Sequence, residues 1–125
     1  MKDLSDKVIA VDFDGTCVTH EYPRVGDDIG AERVLSKINE AGGKLILWTM
    51  RSGKELEDAV NWFNIKRIAL YGVQRNPTQG NWTSSPKAYA QIYIDDAALG
   101  CPLVENEGGR PYVDWDTVDK LIFKP

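Results

Sequence analysis

Cysteine is scarce in this chain of 125 residues, and the two present, Cys17 and Cys101, form no CxxC pair and no Cys/His ligand spacing. A disulfide framework and a zinc ribbon are thereby excluded. No basic segment followed by an apolar stretch opens the sequence, and every hydrophobic run is broken by Asp, Lys, Arg or Gly well short of the roughly 20 residues that span a bilayer. A reducing cytoplasm with no membrane partner is expected. Excess basic charge is missing too. With a formal net charge of -4, the chain is not expected to bind nucleic acid in general through Lys and Arg on phosphates, although local contacts to a nucleic-acid end stay open.

What is present fits one domain over residues 1–125, since a chain of this size with 42% hydrophobic content can bury a core unaided. Residues 8–12 form a β-branched run closing on a carboxylate, suited to a parallel strand buried on both faces. Ala31, Val34, Leu35 and Ile38 recur at helical spacing before the stop Gly42-Gly43. A second buried strand over 44–49 follows. Ser52 and Glu55 then read as a capping box ahead of the stripe Leu56, Ala59, Val60 and Phe63. Residues 67–71 and 91–95 read as further strands, and Asp114 caps a last helix with Trp115, Val118, Leu121 and Ile122 on one face. The alternation predicts an α/β fold of three Rossmann-like layers, a mostly parallel central sheet with helices on both faces. Residues 72–86 form a long irregular loop, and residues 100–113 follow no clear pattern.

Chemistry gathers at the strand ends. Asp12-Phe13-Asp14-Gly15-Thr16 places two carboxylates two residues apart where a strand becomes a loop, and Gly15 lets the chain turn beneath a bound phosphate. Thr49 closes the second strand and offers a hydroxyl to a phosphate oxygen. Lys87 carries a point charge suited to a phosphoryl group. Asp95 and Asp96 end the fourth strand as adjacent like charges, costly unless a cation neutralises them, and hard oxygen ligands suit magnesium. Among the loop residues His20, Arg51, Arg75, Asn76 and Trp82, solvation is the plain reading, except that Arg51 lies two residues past Thr49 on the same sheet edge. Trp48, Trp62 and Trp115 belong on buried faces.

This ordered set resembles the haloacid dehalogenase (HAD) superfamily of phosphohydrolases over nearly the whole chain. The resemblance implies a magnesium-dependent phosphatase working through an aspartyl-phosphate. In that family's pattern Asp12 is the nucleophile, Asp14 the general acid/base, and Thr49 and Lys87 hold phosphate. Asp12, Asp14, Asp95 and Asp96 supply the metal site. Gly15, Thr16, Arg51 and Asn76 are the expected substrate contacts. The intervals where relatives insert a cap are too short for a domain, so a capless HAD-like enzyme is expected. Its substrate is a phosphorylated small molecule or macromolecular end. Specificity then comes from that substrate, from a neighbouring subunit of an oligomer, or from loops 17–28 and 75–85. The competing readings are a receiver-like signalling module and an inactive binder of phosphorylated ligands on the same scaffold.

Overall fold

The computed structural model describes residues 2–124. Strands β1 (Val8–Val11), β2 (Lys44–Leu47), β3 (Gly72–Val73) and β4 (Ile92–Ile94) form a parallel sheet in the order β3-β2-β1-β4. Pairing of Val11 with Leu47 and with Ile94 levels the ends of β2, β1 and β4. The residues that follow, Asp12, Trp48 and Asp95, therefore emerge side by side at one sheet edge.

Helices α1 (Ala31–Glu40), α2 (Gly53–Ile65) and α3 (Trp115–Phe123) share one face of the sheet. Ile9, Val11, Leu45 and Leu47 point into it, against Leu35 and Ile38 of α1, Phe63 of α2 and Val118 of α3. Alternate residues Ala10 and Ile46 point the other way, onto Ala88 with Trp48, Tyr71 and Ala90 around it. Strand order explains the segregation. The steps β1 to β2 and β2 to β3 run in one direction, so right-handed crossovers put α1 and α2 on the same side. Returning past β1 to β4 reverses the direction and carries the connecting segment onto the opposite face. The fold is thus a three-layer, Rossmann-like α/β architecture, with a second outer layer made of the irregular connection around the 3-10 turn Gln79–Asn81. Trp48 is half-buried under this layer, less enclosed than Trp62 and Trp115.

The strand expected over 67–71 lies later, at Gly72–Val73. Arg67 takes a φ of 59°, and its neighbour Ile68 donates back to Phe63 O at 2.9 Å, so this stretch closes α2. Its apolarity reflects Ile68 in the core, and only its last residue reaches β2, Tyr71 N donating to Leu45 O at 2.6 Å. Ser52 occupies the position before α2 without a side-chain cap bond, whereas Asp114 does cap α3 by accepting from Thr117 N. Residues 100–113 contain the antiparallel hairpin β5 (Leu103–Val104) and β6 (Tyr112–Val113). Val113 N donates to Gly15 O at 3.0 Å, fastening the hairpin to the loop after β1. No helix among the described residues is long and apolar enough to cross a membrane.

Trp115 ties α3 to the same loop, its indole donating to Thr16 O at 2.7 Å in a buried bond. Trp115→Phe should lower stability by about 1–3 kcal/mol, because the Thr16 carbonyl loses its donor inside the core. Urea unfolding checks this, and an unchanged midpoint would remove the bond from the account.

Candidate active site

Beyond β1 the chain reverses tightly. Thr16 N and Cys17 N both donate to Phe13 O, at 3.1 and 2.7 Å, and Gly15 takes a φ of 79°. A side chain at Gly15 would also collide with the His20 ring and the Asp96 carboxylate. Glycine is needed there by both backbone and space. The reversal buries Thr16, whose hydroxyl donates to Asp12 Oδ2 at 2.9 Å and accepts from Asp96 N at 3.0 Å. Thr16 links the acid after β1 to the acids after β4, and its burial corrects the expectation that it meets substrate directly.

Asp12, Asp95 and Asp96 offer carboxylate oxygens that all lie within 4.8 Å of one another. Burial, then the charge of Asp95, pushes the Asp12 carboxyl up to about 7, against the hydrogen bond from Thr16. An uncompensated charge here is costly. Three hard oxygen donors this close together are of the kind that can hold a metal ion. Asp14 does not belong to this trio. Its two oxygens accept from Arg51 Nε and Nη2, each at 2.8 Å, in a bidentate pair.

Arg51 is itself buried, at 1% exposure. Besides Asp14 it donates to Pro23 O, Arg24 O and Glu55 O, which occupies all five of its N–H groups. The guanidinium is thus a strut between the loop after β1, the 20s loop and α2. As a substrate-gripping fork it is already fully engaged, which corrects that expectation. Thr49 does line the cavity. Gln74, at a φ of 61°, accepts from Thr49 N at 2.8 Å and donates to Thr49 O at 2.6 Å, fixing its backbone.

Two expected residues lie elsewhere. Lys87 is exposed on the second face with its ammonium 5.3 Å from the Tyr93 ring centroid, outside the cavity that Asp12 lines. It precedes β4, whereas the acids follow it, and the strand length separates the two. Asn76 is buried in the connecting layer, donating to Tyr89 O and accepting from Thr78 N, both at 3.0 Å. It braces that layer and makes no part of the acidic site.

The cavity has a volume of about 450 Å³ and is lined by Asp12, Asp14, Thr49, Arg51, Asp95 and Asp96, with His20, Tyr22, Met50, Ala97 and Arg110 towards its mouth. His20 Nε2 lies 2.9 Å from Asp96 Oδ2. Met50 and Tyr22 are exposed on the rim. Arg110, in the β5–β6 turn, enters no ion pair or side-chain hydrogen bond among the described residues. It was not identifiable beforehand, because nothing in residues 100–113 marks a hairpin that folds back onto Gly15. His20 did stand among the loop candidates, though with no sign that Asp96 was its partner.

No family model matches the chain, and no curated protein matches it. Among solved structures it is similar to the structure of the conserved protein coded by a locus from Bacteroides thetaiotaomicron. The two are 34% identical over 93% of this chain and 88% of the other, with a TM-score of 0.76. That identity over nearly the full length of both goes beyond a shared fold, and the chain belongs to the same family as that conserved Bacteroides thetaiotaomicron protein.

Proposed function

We propose that the protein is a capless, HAD-type phosphatase that hydrolyses phosphoric monoesters with magnesium bound. The observation that carries the reading is the meeting of Asp12 with Asp95 and Asp96 where β1 and β4 part. The strand order turns there, as at the ligand crevices of open α/β sheets. Asp12, Asp95 and Asp96 would hold the ion, which supplies positive charge against the oxygens of the phosphoryl group.

The remaining chemistry falls to the chain's own residues. Asp12 attacks phosphorus through the oxygen that Thr16 does not bind, forming an O–P bond as the bond to the leaving oxygen breaks. The Thr49 hydroxyl, carried on a backbone that Gln74 holds, donates to a phosphoryl oxygen. Arg110 stands at the mouth in the electrostatic role expected of Lys87. For Asp14 to protonate the leaving oxygen its pair with Arg51 must open and the freed carboxylate must take up a proton from solvent. Ionised again by that transfer, it accepts a proton from the water that attacks phosphorus and frees Asp12. Inorganic phosphate and an alcohol are the products.

The test is a phosphatase screen over sugar phosphates, nucleotides, phosphopeptides and oligonucleotide ends, with and without magnesium. Multiple turnovers are expected in magnesium and none in excess EDTA. A single phosphoryl group accepted per chain would favour the receiver-like reading, and binding without release the inactive one. Magnesium at a hundredfold excess over its Kd should add about 2.7 kcal/mol of stability. Asp95→Asn should abolish most of that gain together with turnover. Melting curves indifferent to magnesium, with full activity in EDTA, would sink the proposal.

A further inference from the structure

The charge of this chain is unevenly spread. From residue 59 to residue 94 there is no Asp or Glu, although the whole sequence holds 19. The layer over the second face of the sheet, residues 72–91, carries Arg75 and Lys87 alone, +2 within a chain of -4, so the remainder carries -6. Both cations are exposed, and neither forms an ion pair among the described residues.

The same layer displays aromatic rings. Trp82, Tyr89 and Tyr93 are 64%, 47% and 39% exposed. Trp82 and Tyr89 meet edge to face at 5.1 Å, and the Lys87 ammonium lies 5.3 Å from the Tyr93 ring centroid, so each ring keeps at most one face for a ligand. With Lys87, Thr83 and Ser85 they line a cavity of about 370 Å³. The layer is irregular but firmly held. Buried Gln79 donates to Ser85 O at 3.2 Å and Lys87 O at 3.0 Å and accepts from Tyr89 N at 2.7 Å, while Asn76 holds Tyr89 O. Rings exposed on a braced scaffold pay little ordering entropy on binding.

We infer that this face is a platform for a short single-stranded oligonucleotide, whose bases stack on Trp82, Tyr89 and Tyr93 while Lys87 and Arg75 neutralise its backbone. Aromatic rings beside cations are what sequence-tolerant single-strand binding uses. Lys87 stands among the rings, and Arg75 lines an adjoining cavity that shares Gln79, Thr83 and Ser85 with theirs. Two cations are too few to hold a duplex on an acidic protein, and a neutral sugar would leave them nothing to neutralise. Tyr93 lies two residues before Asp95 on β4, about 7 Å along the strand. The two cavities share no lining residue, and β4 is what links them. On the phosphatase reading, on which this inference rests, the substrate is a phosphorylated oligonucleotide end whose chain follows β4 from the platform to the acids.

Binding is measured with a single-stranded pentanucleotide lacking terminal phosphate, so the result does not depend on turnover. Trp82→Ala should weaken binding roughly five- to hundredfold, the range of one lost stack. Lys87→Ala should flatten the dependence of log affinity on log salt by about 0.7. Both side chains are exposed, so folding survives their loss. Turnover of a small aryl phosphate should be unchanged in Trp82→Ala, while kcat/KM for the phosphorylated pentanucleotide falls. No binding by the wild type, equal binding by both variants, or preference for a neutral oligosaccharide would each overturn the platform. Absence of turnover with binding intact would instead count against the phosphatase chemistry alone.

Discussion

Asp12→Asn should cut turnover by at least about a thousandfold while making the cation-free protein more stable at neutral pH. The first effect follows from losing the attacking carboxylate, since covalent catalysis has no substitute once its nucleophile is an amide. The second comes from burial and Asp95, which push the Asp12 carboxyl up to about 7. Below about pH 4 this carboxyl is protonated in both folded and unfolded chains and costs nothing. As pH rises towards 7 the unfolded chain releases the proton and the folded chain resists, so the wild type loses stability relative to the variant throughout that window. Three pH units correspond to about 4 kcal/mol as an upper bound. Comparing the two proteins' melting temperatures from pH 4 to pH 8 in EDTA cancels the other titrating groups. A variant that keeps turnover within tenfold of wild type, or a gap that closes with rising pH, would refute the role assigned to Asp12.

Arg51→Met should destabilise the fold by about 3–5 kcal/mol, the usual cost of stripping one partner from a buried ion pair. The methionine fills much of the volume, but Asp14 and the carbonyls of Pro23, Arg24 and Glu55 lose their donors together. For a domain of this size the melting temperature should fall by about 10–20 °C. Arg51→Lys should recover only part of the loss, since an ammonium offers three donors where the planar fork used five. Adding Asp14→Asn to Arg51→Met should recover some stability by removing the stranded charge, a non-additivity that a packing role alone would not produce. A melting temperature within about 2 °C of wild type for Arg51→Met would contradict the strut.

Local chemistry made much of this molecule legible as sequence. The buried strand running into Asp12, the stripe of α1 with its glycine stop, the Asp114 cap and the apolar run before Asp95 each repeat at a spacing belonging to one element, so neighbours in the chain suffice to reveal them. The edge at which the acids meet followed as well, because parallel strands of similar length end level. Residue partnerships at long range were not readable. Arg51 finds Asp14 across 37 positions and Thr16 finds Asp96 across 80, and no local pattern encodes either contact.

Lys87 shows the limit most clearly. Its order in the sequence matched a phosphate-binding lysine, yet only the crossover from β3 to β4 decides which sheet face and which strand end it occupies. Arg110 shows the converse, an unremarkable residue brought to the cavity mouth because Val113 pairs with Gly15. By itself the sequence determined the elements and the residue types at their ends, since propensity and periodicity act within a few residues. Tertiary structure alone decided which charges are consumed as struts and which stay available, because that depends on burial and on partners that meet only when the chain closes on itself.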